Sequence, residues 1–109
     1  MIMIKQIQHL LLRLGIPSTY LGYHYLCYAL YLCVQNEDHL TSVYKILYAD
    51  VADHYNTTRC GVEHCIRTVV KHCWDHGNCD LLKEIAKYPL NQKPTNSEFI
   101  DILYHHLAQ

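Results

Sequence analysis

The sequence predicts an all-α domain of about six helices with a central helix-turn-helix. Three observations predict it. Apolar residues recur at helical spacing along almost the whole chain, beginning with Ile4, Ile7, Leu10, Leu11 and Leu14. No segment alternates apolar and polar residues over a length that demands a strand. Turn residues gather between the periodic segments: Gly15 and Pro17, then Asn36, Glu37 and Asp38, then His76, Gly77 and Asn78, then a stretch with two prolines before position 95.

The first helix is expected over residues 2–14, ended by Gly15. Pro17 makes a break, and Ser18 or Thr19 supplies a cap for a second helix over 20–34. That segment is apolar on nearly every side, as suits a helix surrounded by others. A polar joint at Asn36, Glu37 and Asp38 leads to a third helix over 40–54, in one or two pieces. A fourth spans 59–75, with Gly77 free to take the left-handed conformation that helix ends favour. A short helix follows over 80–87. Residues 88–94 read as a loop, and Asn96 or Ser97 caps a last helix over 98–107.

The chain has 109 residues, half of them apolar or aromatic. That is one domain, read over 1–109, with enough apolar surface for a real core. Tyrosine supplies ten of the aromatic residues against one tryptophan and one phenylalanine. Many core positions therefore carry a polar tip that needs a partner or water. Residues 14–36 lack Asp, Glu, Lys and Arg, yet Gly15, Pro17, Ser18, Gly22, His24 and Gln35 interrupt them. A buried central helix fits better than a membrane span. The six cysteines fall mostly at apolar positions of helical patterns. With no secretory signal in residues 1–14, they read as reduced thiols of a cytoplasmic protein.

The informative stretch is 48–66. Two helices that cross steeply need a small residue at the crossing, and Ala52 provides it. The turn needs a residue that tolerates positive φ, and Asn56 does. Thr58 is placed to cap the second helix through its hydroxyl. Val62, with Cys65 and Ile66 a turn later, packs back onto the first helix. Together these positions describe a helix-turn-helix. The same spacing also fits a bundle corner that binds nothing.

On the second helix Val62, Ile66, Val69, Cys73 and Cys65 are expected to face inward. Cys60, His64, Arg67, Thr68 and Lys71 form a stripe on the other side. In a DNA binder this stripe enters the major groove, with Arg67 and Lys71 meeting guanine edges or phosphates and His64 and Thr68 meeting bases. Otherwise it is a solvated face.

Here the sequence resembles the C-terminal effector domain of the stage-zero sporulation response regulator, the master transcription factor of spore-forming bacteria. Leu14-Gly15-Ile16-Pro17 and Gly22-Tyr23-His24-Tyr25-Leu26 resemble its opening. Tyr55-Asn56-Thr57-Thr58, Val62-Glu63, Ile66-Arg67 and Trp74 resemble its helix-turn-helix. Gly77-Asn78 and Lys93-Pro94-Thr95-Asn96-Ser97-Glu98-Phe99-Ile100 resemble its tail. The likeness spans nearly the whole chain.

The resemblance implies a six-helix fold, binding of a short DNA box as tandem domains, and activation or repression of transcription. Taken with the exposed stripe, the DNA-binding residues expected on the recognition helix and its N-terminus are Thr58, Arg59, Cys60, Gly61, Glu63, His64, Arg67, Thr68 and Lys71. The implied partners are double-stranded DNA, a second copy in tandem, a partner regulator or RNA polymerase, with no membrane. The family carries an N-terminal phosphoacceptor receiver domain, which this chain is read as lacking. The family also presents arginines at the positions of Gly61 and His64, where this chain has neither. Glycine cannot pair bidentately with guanine, and histidine does so poorly.

The formal net charge is −1 with the nine histidines neutral, whereas DNA binders are usually basic. Histidine softens this, since it gains charge as pH falls through roughly 6.5. Across residues 43–76, Lys45, Arg59, Arg67 and Lys71 are cancelled by Asp50, Asp53, Glu63 and Asp75. Two function classes therefore stand: a sequence-specific DNA-binding regulator, and a protein-interaction module that has lost base readout and acts through a partner.

Cys60 with His64, and His72 with His76, have a spacing that can hold a metal, but the pairs lie too far apart along the helix to share one tetrahedral site. Cys60 in a first helical turn also suits a thiolate. No nucleophile–base pair, glycine-rich phosphate loop or carboxylate pair argues for an enzyme. The reading therefore carries no catalytic residue, no metal ligand and no cofactor.

Overall fold

The computed structural model describes residues 4–109. Six α-helices occur there: α1 (Ile4–Arg13), α2 (Leu21–Gln35), α3 (Tyr48–Tyr55), α4 (Arg59–Asp75), α5 (Cys79–Ile85) and α6 (Asn96–Leu107). No strand is present among the described residues. The expected start of the first helix at Ile2 lies outside them. The fold class is all-α, as the periodicity predicts, and α4 has the predicted bounds.

α2 is the central helix. Gly22, Tyr23, Tyr25, Leu26, Cys27, Ala29, Leu30 and Cys33 are all buried, and α1, α3, α4 and α6 all contact it. This is why its sequence shows no polar face. α1 is the opposite case. It buries Ile7, Leu10 and Leu11 and exposes Lys5, Gln8 and His9. Gly15, at φ 78°, ends it in the left-handed region, letting the Ile16 N–H return to the Leu11 carbonyl at 3.1 Å.

Four local expectations are corrected. α2 starts after Tyr20, which caps it without a side-chain hydrogen bond; Ser18 and Thr19 take no part. The third helix is in three pieces, a 3-10 turn (Glu37–Thr41), a π turn (Val43–Leu47) and α3. The π turn arises because the Ser42 carbonyl accepts from both Ile46 and Leu47, at 3.0 and 3.2 Å. His39 ties the segment down, contacting the Asn36 carbonyl at 2.9 Å and the Asp50 carboxylate at 3.0 Å.

Gly77 is not left-handed. Its value is clearance, since a Cβ there would sit 2.5 Å from the Leu14 carbonyl oxygen and 2.9 Å from Cys73 Cα. The chain passes so close that the Asn78 N–H donates to that Leu14 carbonyl at 2.9 Å. The Asn78 side chain then caps α5 by accepting from the Leu81 N–H at 3.0 Å.

The last helix is capped by Thr95, not by Asn96 or Ser97. Thr95 Oγ1 accepts from the Glu98 N–H and the Glu98 carboxylate accepts from the Thr95 N–H, a reciprocal capping box.

Candidate nucleic-acid interface

α3 and α4 meet through a turn whose chemistry matches the sequence. Asn56 sits at φ 54°, ψ 51°, the left-handed region. Its N–H and that of Thr57 return to Asp53 and Ala52, at 3.4 and 2.9 Å. Ala52 is buried at the crossing. Thr58 is extended, and its Oγ1 accepts from the Gly61 N–H at 3.0 Å, satisfying one of the free donors at the start of α4. The turn and the cap together fix the direction in which α4 leaves α3.

α4 buries Val62, Ile66, Val69, Val70 and Cys73. Val70 was not among the expected core positions, and Cys65 is half-buried rather than buried. Arg59, Cys60, His64, Arg67, Thr68 and Lys71 are exposed along one side, as the helical period requires. Thr58 is exposed at the helix start, while Gly61 and Glu63 are half-buried. All nine residues assigned to the interface thus lie on α4 or its cap.

The electrostatics are less open than the exposure. The Arg67 guanidinium pairs with Glu63, one turn earlier. The Lys71 ammonium pairs with Asp75, one turn later. Lys71 holds the Asp75 carboxyl below the usual carboxylate range, chiefly by this hydrogen bond. The Thr68 hydroxyl donates back to the His64 carbonyl at 3.2 Å, leaving only its acceptor side free. Cys60 Sγ lies 3.2 Å from the Tyr44 hydroxyl. That contact is also the main cause that lifts the Tyr44 hydroxyl above its ordinary pKa. Arg59 makes no ion pair among the described residues.

Residues 7–107 match the family model described as the C terminal of the sporulation initiation factor Spo0A. The chain belongs to this family. The Spo0A C-terminal domain is a DNA-binding effector domain of a sporulation regulator and not an enzyme class. The match places the turn and α4 inside the region that defines the family.

Two residues near the interface were invisible to local sequence reading. Tyr44, on the π turn, reaches the first turn of α4 through Cys60. Asn96, in the first turn of α6, donates from Nδ2 to the Glu63 carbonyl at 3.0 Å and fastens α6 to the second turn of α4. Only the Thr95-x-x-Glu98 capping pattern hinted at where α6 begins. The cysteines carry free thiols. Cys27, Cys33 and Cys73 are buried, and burial raises their thiol pKa to about 11, 12 and 12. Among the described residues no group of three or more His, Cys, Asp or Glu is placed to hold a metal, and no helix is long and apolar enough to cross a membrane.

Proposed function

We propose that this domain binds double-stranded DNA by laying α4 in the major groove. The observation that carries the reading is the Asn56 turn with its Thr58 cap, because it holds α4 so that the row from Arg59 to Lys71 faces outward. In this reading Arg67 reaches a guanine edge or a phosphate and Lys71 a phosphate. His64 and Thr68 offer hydrogen bonds to bases, and the N-terminus of α4, at Thr58, Arg59, Cys60 and Gly61, meets the backbone. Glu63 orients Arg67. A second copy in tandem, a partner regulator or RNA polymerase completes the assembly in the cytoplasm.

A second reading is favoured by one observation. Arg67 and Lys71 are each neutralised by a neighbouring carboxylate, which suits a protein-interaction module acting through a partner regulator.

The test is a titration of the chain and of the double substitution G61R/H64R on the family's DNA box and on a scrambled duplex at low salt. At Gly61 a Cβ would meet only the Thr57 and Thr58 hydroxyls, at 3.0 and 3.3 Å, so a larger side chain asks for small hydroxyl shifts. Preference for the box, strengthened by the two arginines, supports the DNA reading. A folded double variant that ignores both duplexes leaves the interaction module as the better account.

A further inference from the structure

A cleft of about 450 Å³ opens beside the exposed row of α4, walled by Tyr48, Glu63, Arg67, Lys93, Asn96 and Ser97, among others. Two features of it are unaccounted for by the fold. The first is the start of α6, a helix of 12 residues. Its capping box satisfies the N–H groups of Thr95 and Glu98. Those of Asn96 and Ser97, both on the cleft wall, have no protein partner among the described residues. Free N–H groups at a helix start favour an anion.

The second is the Tyr48 hydroxyl. Tyr48 is 2% exposed, and its hydroxyl is buried without a hydrogen-bond partner. The Asn96 amide lies beside it as a donor that lowers its pKa while giving its 3.0 Å hydrogen bond to the Glu63 carbonyl, so the O–H proton itself has no acceptor. The other charged groups that act on the hydroxyl are Glu63 and Arg67, both of the same cleft. A buried O–H without an acceptor has given up water for nothing and destabilises the fold. An oxyanion in the cleft supplies the missing acceptor. Arg67 and Lys93 contribute two positive charges to the wall, against one carboxylate from Glu63.

We propose that this cleft is a phosphate site, and that its occupant is a phosphodiester of the DNA backbone flanking the groove that α4 reads. The DNA half rests on the reading of α4 given above; the anion half does not. The phosphate oxygens accept from the N–H groups of Asn96 and Ser97 and from the Tyr48 hydroxyl, with Lys93 at the rim. Arg67 is shared between Glu63 and the incoming anion, so Glu63 acts as a stand-in that DNA must displace.

The experiment is an amide NMR titration of the full chain with inorganic phosphate, with chloride at matched ionic strength as control. The Asn96 and Ser97 amides are expected to shift saturably with phosphate and not with chloride. K93A and Y48F, the first at an exposed site and the second keeping the ring, are each expected to weaken binding about two- to fivefold. Y48F should also raise the melting temperature of the unliganded chain, since it deletes the orphan hydroxyl. Amides that do not respond, or a Y48F titration equal to that of the parent, overturn the site. On duplex DNA, K93A is expected to weaken specific and scrambled sequences alike and to reduce the salt slope by about one. A K93A effect on phosphate with none on DNA overturns the phosphodiester and assigns the cleft to a free anion. A chain that binds phosphate here but no duplex marks the failure of the α4 reading instead.

Discussion

Gly22 of α2 lies directly under the carbonyl of Cys65 in α4: a Cβ built on Gly22 would sit 2.2 Å from that oxygen and 2.7 Å from Val69 Cγ2. The central helix and the interface helix therefore touch backbone to side-chain-free backbone. No rotamer change relieves the contact with Cys65, because the obstructing atom belongs to the main chain of α4. The position of α4 is set from below by this contact and from its start by the Thr58 cap.

Gly22→Ala should accordingly be among the most damaging single-methyl additions in the chain. Overpacking commonly costs about 1–3 kcal/mol, and a clash with main chain belongs at the upper end. For a domain of this size that lowers the melting temperature by roughly 10 °C or more. A thermal melt followed by circular dichroism checks it. A loss of only a degree or two would mean that α2 and α4 separate easily.

At the turn, Asn56→Gly should be neutral or mildly stabilising, whereas Asn56→Ala should cost about 1 kcal/mol because alanine resists the left-handed region. Thr58→Ala should cost about 1 kcal/mol through loss of the cap to the Gly61 N–H. Urea unfolding midpoints of the three variants test the set. Equal midpoints for N56G and N56A would contradict the left-handed turn.

These positions were legible in the sequence because each expresses a local rule. Asn56, Thr58 and the 59–75 period need only their neighbours to be interpreted. The π turn at Val43–Leu47 was not legible, since it rests on the Ser42 carbonyl accepting from both Ile46 and Leu47, a bifurcation that no residue pattern announces. The local pattern at Gly77 predicts a left-handed cap, the common use of glycine after a helix. Its actual role is to let the chain pass Leu14, sixty-odd residues earlier, which no local pattern reveals. The cleft beside α4 was missed for the same reason: Tyr48, Arg67 and Asn96 come from three different helices.

Stability should decline on the alkaline side. Burial raises the Cys27, Cys33 and Cys73 thiols from 9.0 to about 11, 12 and 12, and the Tyr48 hydroxyl from 10.0 to about 12. Above about pH 9 the unfolded chain releases these thiol protons while the folded chain keeps them. The unfolded state then binds fewer protons, so stability falls as pH rises, by up to about 1.4 kcal/mol per pH unit for each group, until the folded values are reached. Urea midpoints should be level from pH 7 to 8.5 and drop steadily from 9 to 10.5. Cys33→Ala should flatten that slope. A midpoint independent of pH over this range would mean that the thiols are reachable by water.

The two ion pairs on α4 should behave differently when broken. Glu63 precedes Arg67 and lies toward the helix start, where a carboxylate is favoured; Lys71 precedes Asp75, which places a carboxylate in the last turn, where the helix dipole opposes it. Exposed pairs of this kind contribute little once solvent screens them, so neither decides the fold. Asp75→Asn removes the misplaced charge and releases Lys71. It should leave stability unchanged or slightly raised, and it should strengthen binding to every duplex alike, because Lys71 is then free for a phosphate. Lys71→Ala should weaken binding to every duplex alike and reduce the salt slope by about one. The pair of variants separates two roles that exposure alone does not: a cation held in reserve for DNA, and a cation that merely decorates a solvated helix. DNA titrations across a salt series, run on both variants with melting curves as the folding control, supply the measurement. If D75N and K71A bind every duplex as the parent does, the second half of α4 does not approach the backbone. The groove reading would then have to rest on the residues from Thr58 to Arg67 alone.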